Sequence, residues 1–224
     1  VDSEIPSPVE GIITKLFFRD ENDVLVNQNL PYTYSDHLVA GLEYVPTPAL
    51  RLTLESFYKR YGNYLVSARD GLSLANQGGD FGIIGNEKLN SSGTGESYGF
   101  ELFAQQKLTK NLFFVGAYTL FWSKFSNADG QLSPSAWDNR HLLSLTLGRK
   151  FRRNWEIGLK YRFQGGVPFT PFDLEASQRN YATVGRGIPD LTRLNSERLN
   201  NFSQLDFRID KKWNLRKVTI DLFL

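Results

Sequence analysis

The feature that most constrains the fold is a strict alternation of apolar and polar residues between Trp155 and Gln164. One side of this segment reads Trp, Ile, Leu, Tyr, Phe, and the other reads Glu, Gly, Lys, Arg, Gln. A period of two places successive side chains on opposite faces of a β-strand, whereas an amphipathic helix repeats every 3.6 residues. The pattern therefore predicts a β-sheet with one apolar and one polar face.

The same alternation recurs along the chain and predicts about nine strands. It is regular in residues 143–147, 205–210 and 218–224. Less regular candidates are residues 11–18, 38–45, 50–58, 98–108 and 112–123. Aromatic residues, which favour strands and membrane interfaces, make up 14% of the chain. Several runs reach the length of a tilted strand that crosses a bilayer, and they exceed the usual length of strands in soluble sheets.

The connections between these strands alternate between short and long. The tight joints are residues 46–49, 109–111, 152–154 and 214–216. The long polar segments are residues 66–96, 126–139 and 165–200. Short turns at one end and long loops at the other are typical of outer-membrane barrels. We therefore predict an all-β fold, a portion of an antiparallel up-and-down transmembrane β-barrel with short periplasmic turns and long extracellular loops.

The joint at 152–154 fixes a testable register. Its last residue, Asn154, tolerates the left-handed backbone that closes a three-residue hairpin, and Asn111 is expected to do the same at 109–111. A three-residue turn places Phe151 opposite Trp155. The pairs that follow are Lys150 with Glu156, Arg149 with Ile157, Gly148 with Gly158, Leu147 with Leu159, Thr146 with Lys160, Leu145 with Tyr161, Ser144 with Arg162 and Leu143 with Phe163.

Two groups of residues are candidates for a functional site. The lumen-facing candidates are Glu156, Lys160, Arg162, Asp206, Arg208 and Asp210. The candidates for ligand contact in the 165–200 segment are Phe169, Phe172, Arg179, Tyr181 and Arg186, with Arg193 beside them. The competing interpretations are a wall of mutually compensating charges for the first group and packing of the loop on itself for the second.

The sequence argues against an enzyme and against nucleic-acid binding. His37 and His141 are the only histidines, they fall in different predicted hairpins, and neither belongs to a triad or metal signature. The glycines at 78–79 and 93–95 precede no predicted helix, so a surface connection is favoured over a phosphate cradle. A net charge of +2 does not indicate the basic surface that binds nucleic acid. No cofactor is predicted.

Three stretches carry a family resemblance: WDNRHLL at 137–143, YRFQGGVPFTPFD at 161–173 and LDFRIDKKW at 205–213. In this order they resemble the barrel of TonB-dependent receptors of the Bacteroidetes group, including the SusC-like branch. The resemblance implies a barrel of about 22 strands plugged by an N-terminal domain. It also implies import of siderophores, vitamin B12, glycans or peptides with energy passed through TonB. The implied partners are outer-membrane lipid, the remainder of the receptor, TonB through the plug, and a SusD-like surface lipoprotein lid.

The resemblance makes residues 1–224 a C-terminal part of such a barrel, without its plug. Residues 1–6 lack the features of a signal peptide. Residues 218–224 would rise from a periplasmic turn, so the sheet is expected to end a strand early and to stay open. The alternatives are a small passive outer-membrane pore or surface-binding barrel, and a soluble β-sandwich that acts as a binding module.

Overall fold

A computed structural model describes residues 18–19, 25–77 and 87–224 of the chain. The strands are β1 (Phe18–Arg19), β2 (Leu25–Val26), β3 (Tyr34–Thr47), β4 (Leu50–Ser67), β5 (Leu89–Thr109), β6 (Leu112–Ser126), β7 (Leu132–Pro134), β8 (His141–Phe151), β9 (Trp155–Gln164), β10 (Pro168–Phe169), β11 (Phe172–Asp173), β12 (Ile188–Pro189), β13 (Glu197–Arg198), β14 (Phe202–Asn214) and β15 (Thr219–Phe223). The helices are α1 (Leu74–Gln77) and α2 (Leu174–Val184), with 3-10 turns at Arg152–Asn154 and Leu191–Arg193.

Nine of these strands form one antiparallel sheet. Its order is β15-β14-β9-β8-β6-β5-β4-β3, with β7 beside β6, so each long strand pairs with the next long strand along the chain. This order is the predicted up-and-down topology. Eight of its strands are predicted ones, and the ninth, β7, lies in the segment 126–139 that was predicted as a connection. Within the described residues, β3 and β15 each pair on one side only, so the sheet is open. The strand predicted at 11–18 lies outside the described residues, apart from Phe18.

The predicted register of the β8–β9 hairpin is confirmed at every pair. Phe151 faces Trp155, Leu145 faces Tyr161, and the other predicted pairs follow in the same order. The register continues into β14, where Lys160 pairs with Asp206. Alternation fixes such a register firmly, because a slip by one residue would exchange the two faces of the sheet.

The tight joints follow the predicted chemistry, but three of them differ in their bounds. The first is residues 48–49 and not 46–49, because Thr47 already pairs with Leu50. Arg153 and Asn154 have φ angles of 61° and 60°, which confirms the left-handed closure at 152–154. In the joint at 109–111 only Lys110 and Asn111 form the turn, because Thr109 already pairs with Leu112, and the register shifts after Gln106. Two left-handed residues give the turn whose twist matches a hairpin, so the three-residue prediction was wrong there. The last joint spans residues 215–218 and not 214–216.

Strands β4 and β5 are longer than predicted. They contain 18 and 21 residues, so the connection between them is residues 68–88 and not 66–96. Gly93 and Gly95, predicted to lie in a loop, are strand residues. Their lack of a side chain makes room for others: a Cβ on Gly95 would overlap the ring of Phe125. The glycines at 78–79 lie outside the described residues.

The segment 165–200 is an organised structure and not an irregular loop. It contains α2 and four two-residue strands, which pair as β10 with β13 and β11 with β12. Asp173 caps the start of α2 by accepting a hydrogen bond from the Ala176 amide at 2.9 Å. Gly185 ends the helix in the left-handed conformation, with φ of 68°. Within the described ranges, no helix is long and apolar enough to cross a membrane.

The buried apolar side chains lie at one end of the sheet. Val66, Ala75, Leu89 and Phe125 are the buried hydrophobic residues of the described part. The ring of Phe125 lies 4.3 Å from that of Tyr64 and 5.2 Å from that of Tyr61, measured between ring centroids. All belong to the long connections or to the strand ends beside them. We call this region the loop end, and its connections are residues 68–77, 87–88, 127–140 and 165–201.

Candidate functional site

The register divides the long strands into two faces. One face is apolar, and a continuous row across six strands shows it: Leu42, Leu54, Leu102, Tyr118, Leu143 and Phe163. We call this the apolar face. Many of its side chains are highly exposed, including Leu42 at 74% and Leu205 at 66%. An exposed apolar surface of this extent marks contact with lipid or with another protein.

The six predicted lumen-facing residues lie together on the opposite, polar face. Across β9 and β14, Glu156 pairs with Asp210 and Lys160 with Asp206, while Arg162 faces Gln204. Five of the six, all except Arg162, line a groove of about 400 Å³ together with Phe113 from β6.

Most charges on this part of the polar face are compensated. Arg208 Nη2 lies 2.6 Å from Asp210 Oδ1, and Lys150 Nζ lies 4.0 Å from Glu156 Oε2. Arg162 donates to Gln204 at 2.6 Å, and Gln204 donates to an oxygen of Asp206 at 2.8 Å. These contacts resemble the predicted wall of balanced charges, since a specific solute site would leave several of these groups free.

The sequence reading missed a second part of the polar face. Glu55 of β4 lies directly opposite Glu101 of β5, and Arg51 makes an ion pair with Glu43 at 2.6 Å. Beside them, β6 contributes an uncharged strip to the same face: Phe113, Val115, Ala117, Thr119 and Phe121. Because β6 is apolar on both faces, its sequence does not show alternation.

The predicted ligand-contact residues are distributed over separate small elements of the loop end. Phe169 belongs to β10 and pairs with Glu197, while Phe172 belongs to β11 and is 59% exposed. Arg179 and Tyr181 lie on α2, where Arg179 makes an ion pair with Glu175 at 3.1 Å. Arg186 is exposed just beyond the helix, and Arg193 pairs with Glu197 at 2.6 Å.

A buried carboxylate that the sequence reading did not single out joins two of the long connections. Asp138 is completely buried, and its Oδ2 atom lies 3.0 Å from Arg198 Nη2 and 3.3 Å from Arg140 Nε. Arg198 also donates to the backbone oxygens of Asp138 and Gly166. One side chain from the 165–201 connection is therefore fixed to the 127–140 connection by several bonds.

Two buried asparagines extend this connection to the third segment. Asn195 donates to the backbone oxygens of Asn76 and Pro134 at 2.9 and 2.8 Å. Asn76 donates to the backbone oxygens of Ser133 and Pro134 at 2.9 and 2.8 Å. All three connections are thus bonded to one another at the loop end. No local sequence signal marks these residues, because their partners are far apart in the chain.

The described residues offer no metal centre. In the ranges that the structure covers, no group of three or more His, Cys, Asp or Glu side chains is placed to hold a metal ion. His141 lies on the apolar face, with its Nδ1 atom 2.8 Å from the hydroxyl of Tyr118. The arrangement is that of a two-faced sheet with an ordered set of connections at one end.

Comparison with known proteins gives one family and several related folds. The family model described as TonB dependent receptor-like, beta-barrel matches residues 10–223. A search of curated proteins finds no match. Among solved structures, the ferric-catecholate import receptor Fiu from E. coli K12 is 15% identical with a TM-score of 0.55, and the match covers 81% of this chain. The FrpB iron transporter from Neisseria meningitidis is 15% identical with a TM-score of 0.54 over 84% of this chain.

The ferripyoverdine receptor of the outer membrane of Pseudomonas aeruginosa is similar to the same degree. It is 16% identical, its TM-score is 0.55, and the match covers 87% of this chain. The chain spans only 22%, 25% and 23% of the lengths of these three proteins, in the order given. At such identities the likeness concerns the fold, which is the antiparallel sheet described above.

Proposed function

The chain belongs to the TonB dependent receptor-like β-barrel family, and on this basis we propose that it forms part of the wall and outer loops of an outer-membrane transporter. Members of this family are transporters and not enzymes. The proposed activity is TonB-dependent import of a nutrient, such as a siderophore, glycan, peptide or cofactor. The observation that carries the proposal is the two-faced sheet, whose exposed apolar face suits lipid and whose charged face suits a water-filled interior.

The proposed orientation follows from the lengths of the connections. We place the tight joints on the periplasmic side and the loop end outside the cell, because barrels of this kind have short periplasmic turns and longer extracellular loops. Glu156, Lys160, Arg162, Asp206 and Arg208, with Asp210, then face the interior. A slip of the register would expose Lys160 and Arg162 to lipid at a cost of roughly 2–4 kcal/mol each near the midplane.

The proposed assembly extends beyond this chain. Residues 1–224 act as a C-terminal part of the barrel, and a plug elsewhere in the same receptor couples it to TonB. The three stretches at 137–143, 161–173 and 205–213 support the SusC-like branch of the Bacteroidetes receptors, and with it a SusD-like lipoprotein lid. Phe169, Phe172, Arg179, Tyr181 and Arg186 are then the candidates for contact with cargo at the outer mouth.

Cysteine labelling of the complete receptor in whole cells tests the orientation. The chain contains no cysteine and so adds no background labelling. Single cysteines at Asp129 and Arg186 should react with a membrane-impermeant maleimide, whereas cysteines at Arg153 and Arg216 should react only after the outer membrane is broken. Labelling of Arg153→Cys in intact cells, without labelling of Arg186→Cys, would reverse the orientation.

Uptake measurements test the function and separate it from a passive pore. A panel with a ferric catecholate, ferripyoverdine and oligosaccharides should contain a cargo whose uptake is lost on deletion of the receptor gene. Uptake of that cargo should also be lost in cells without TonB. Uptake that requires the receptor but persists without TonB would contradict the importer and indicate the passive pore.

A further inference from the structure

The end of the sheet opposite the loop end is strongly basic. We define this turn end as residues 46–51, 107–112, 149–156 and 210–218. Its basic residues are Arg51, Lys107, Lys110, Arg149, Lys150, Arg152, Arg153, Lys211, Lys212, Arg216 and Lys217, and its acidic residues are Glu156 and Asp210. The whole chain is nearly neutral, so this basic charge is a local property of one rim and not of the protein.

Three of the turn-end cations have carboxylate partners, and all three pairs lie on the polar face. They are Arg51 with Glu43, Lys150 with Glu156 and Lys212 with Asp221. The other eight make no ion pair within the part of the chain that the structure describes: Lys107, Lys110, Arg149, Arg152, Arg153, Lys211, Arg216 and Lys217. Ion pairing therefore leaves the cations of the turns and of the apolar side available to another partner.

Two of these unpaired cations lie where the apolar face meets the turns. The Lys211 amine is 5.3 Å from the ring centroid of Trp155 and 5.5 Å from that of Trp213, and it donates to the backbone oxygen of Arg153. The Arg149 guanidinium is 5.3 Å from the ring centroid of Phe151. Aromatic rings with adjacent cations at the edge of an apolar surface match the headgroup level of a membrane.

The loop end shows that this excess is not a general feature of the connections. Five of its seven basic residues lie within ion-pair distance of carboxylates on the same end: Arg69, Arg140, Arg179, Arg193 and Arg198. Only Lys88 and Arg186 make no ion pair within the described residues. The two ends therefore differ in whether their cations find partners within the chain. A partner for the turn end should be anionic and should lie beside the apolar face.

We propose that the turn end binds the phosphate groups of anionic phospholipids in the adjoining leaflet. Continuity with the apolar face favours a lipid over a soluble acidic protein, because Lys211 and Arg149 lie against aromatic rings that would enter the same leaflet. Each Lys or Arg near an anionic surface is attracted by about 1 kcal/mol, which is roughly fivefold in affinity. The inference rests on the proposed membrane location of the barrel.

Fluorescence quenching in reconstituted bilayers tests this proposal on the complete receptor. The probes are brominated phosphatidylglycerol, which is anionic, and brominated phosphatidylcholine, which is zwitterionic. The fluorescence of Trp155 and Trp213 is obtained by subtracting the fluorescence of the Trp155→Phe, Trp213→Phe double variant from that of the unaltered receptor. We expect phosphatidylglycerol to be favoured over phosphatidylcholine at these rings by roughly fivefold, and the preference to fall at high salt.

A charge variant and a matched control identify the residues responsible. The turn-end variant carries Arg149→Gln, Arg152→Gln, Arg216→Gln and Lys217→Gln, and it should lose the lipid preference. The control carries Arg60→Gln, Lys88→Gln, Lys124→Gln and Arg186→Gln, which lie toward the loop end, and it should keep the preference. All four positions in each set are outside the ion pairs described above.

Other outcomes would overturn the proposal. Equal quenching by the two lipids in the unaltered receptor, or a preference kept by the turn-end variant, would show that these cations do not select anionic lipid. Equal quenching together with capture of an acidic periplasmic protein that depends on the four cations would assign the turn end to that partner. Membrane insertion and TonB-dependent uptake are measured on the same preparations, so failure of the transporter proposal is recognised separately.

Discussion

The two ends of the sheet satisfy their polar and apolar groups in different ways. At the loop end, Phe125 and Val66 are buried within the chain, and the carboxylate of Asp138 is bonded to two arginines. Across the rest of the sheet, side chains such as Leu205 and Phe207 remain exposed, and eight of the eleven turn-end cations make no ion pair within the described residues. Both ends share the backbone pairing of neighbouring strands, apart from the open edges of β3 and β15.

This difference indicates which parts of the molecule depend on their surroundings. A wall with no buried interior of its own needs lipid on the apolar face, while the loop end holds its shape by internal contacts. Substitutions at the loop end should therefore be costly, and matched substitutions in the wall should be mild. Hydrogen exchange of loop-end and wall amides in the complete receptor measures both effects.

The largest effect is expected for Phe125→Ala. The ring of Phe125 is 2% exposed and packs on Tyr61 and Tyr64, so its removal should destabilise the loop end by about 3–5 kcal/mol. The control is Phe207→Ala on the apolar face, where the ring is 56% exposed and the loss should stay below about 1 kcal/mol. Equal losses at the two positions would contradict the comparison.

A smaller effect, about 3 kcal/mol, is expected for Gly166→Ala. A Cβ at this position would overlap the backbone oxygen of Leu199, which cannot move without displacing the 165–201 connection. At Gly158 in the wall the nearest neighbour of an added Cβ is Arg208 Cβ at 3.8 Å, an ordinary contact. Gly158→Ala should therefore be nearly neutral, and faster exchange in this variant than in Gly166→Ala would refute the expectation.

The Asp138→Asn variant should lose about 2 kcal/mol. The loss of charge leaves Arg140 and Arg198 without their carboxylate, but both guanidinium groups are about one-third exposed, which reduces the cost below that of a fully buried pair. Faster exchange should appear in residues 127–140 and 165–201. Asp129→Asn is the control, because Asp129 is exposed in the same connection, and it should leave exchange unchanged.

The smallest effect is expected at the turn end, where Arg153→Gly should stabilise the hairpin by about 0.5–1 kcal/mol. Arg153 has a φ of 61°, a conformation that glycine adopts without strain. Exchange of the β8 and β9 amides next to the turn should slow slightly. Faster exchange would mean that the side chain of Arg153 stabilises the turn, although it makes no ion pair within the described residues.

The sequence was sufficient where structure is local. The register of β8 and β9 follows from alternation plus a short turn closed by Asn154, and the sheet order follows from joining successive hairpins. The six charged candidates on the polar face were placed correctly on one face for the same reason. Whether they line an interior remains a prediction.

The sequence was insufficient to predict the role of a residue whose contacts lie far away in the chain. Gly95 was predicted to lie in a loop. It is a strand residue without a side chain because the ring of Phe125 on the neighbouring strand occupies the space that a side chain would need. The role of Asn195 depends on Asn76, and neither has a local pattern that reveals it. The helix in the 165–200 segment, which was predicted as a long polar loop, could not be predicted because α2 carries no buried residue and its apolar stripe is weak.

The bond between Asn195 and Asn76 has a consequence for the order of folding. It joins residues 119 positions apart, whereas each hairpin of the wall joins neighbours in sequence. Contacts of long sequence separation form late, since the intervening chain must first be brought together. The hydrogen bonds between the three connections are therefore expected to form after the strands from β4 to β9 are paired. Protease resistance of the loop end would then indicate that these strands are paired. A single misplaced hairpin would leave the loop end sensitive to proteases.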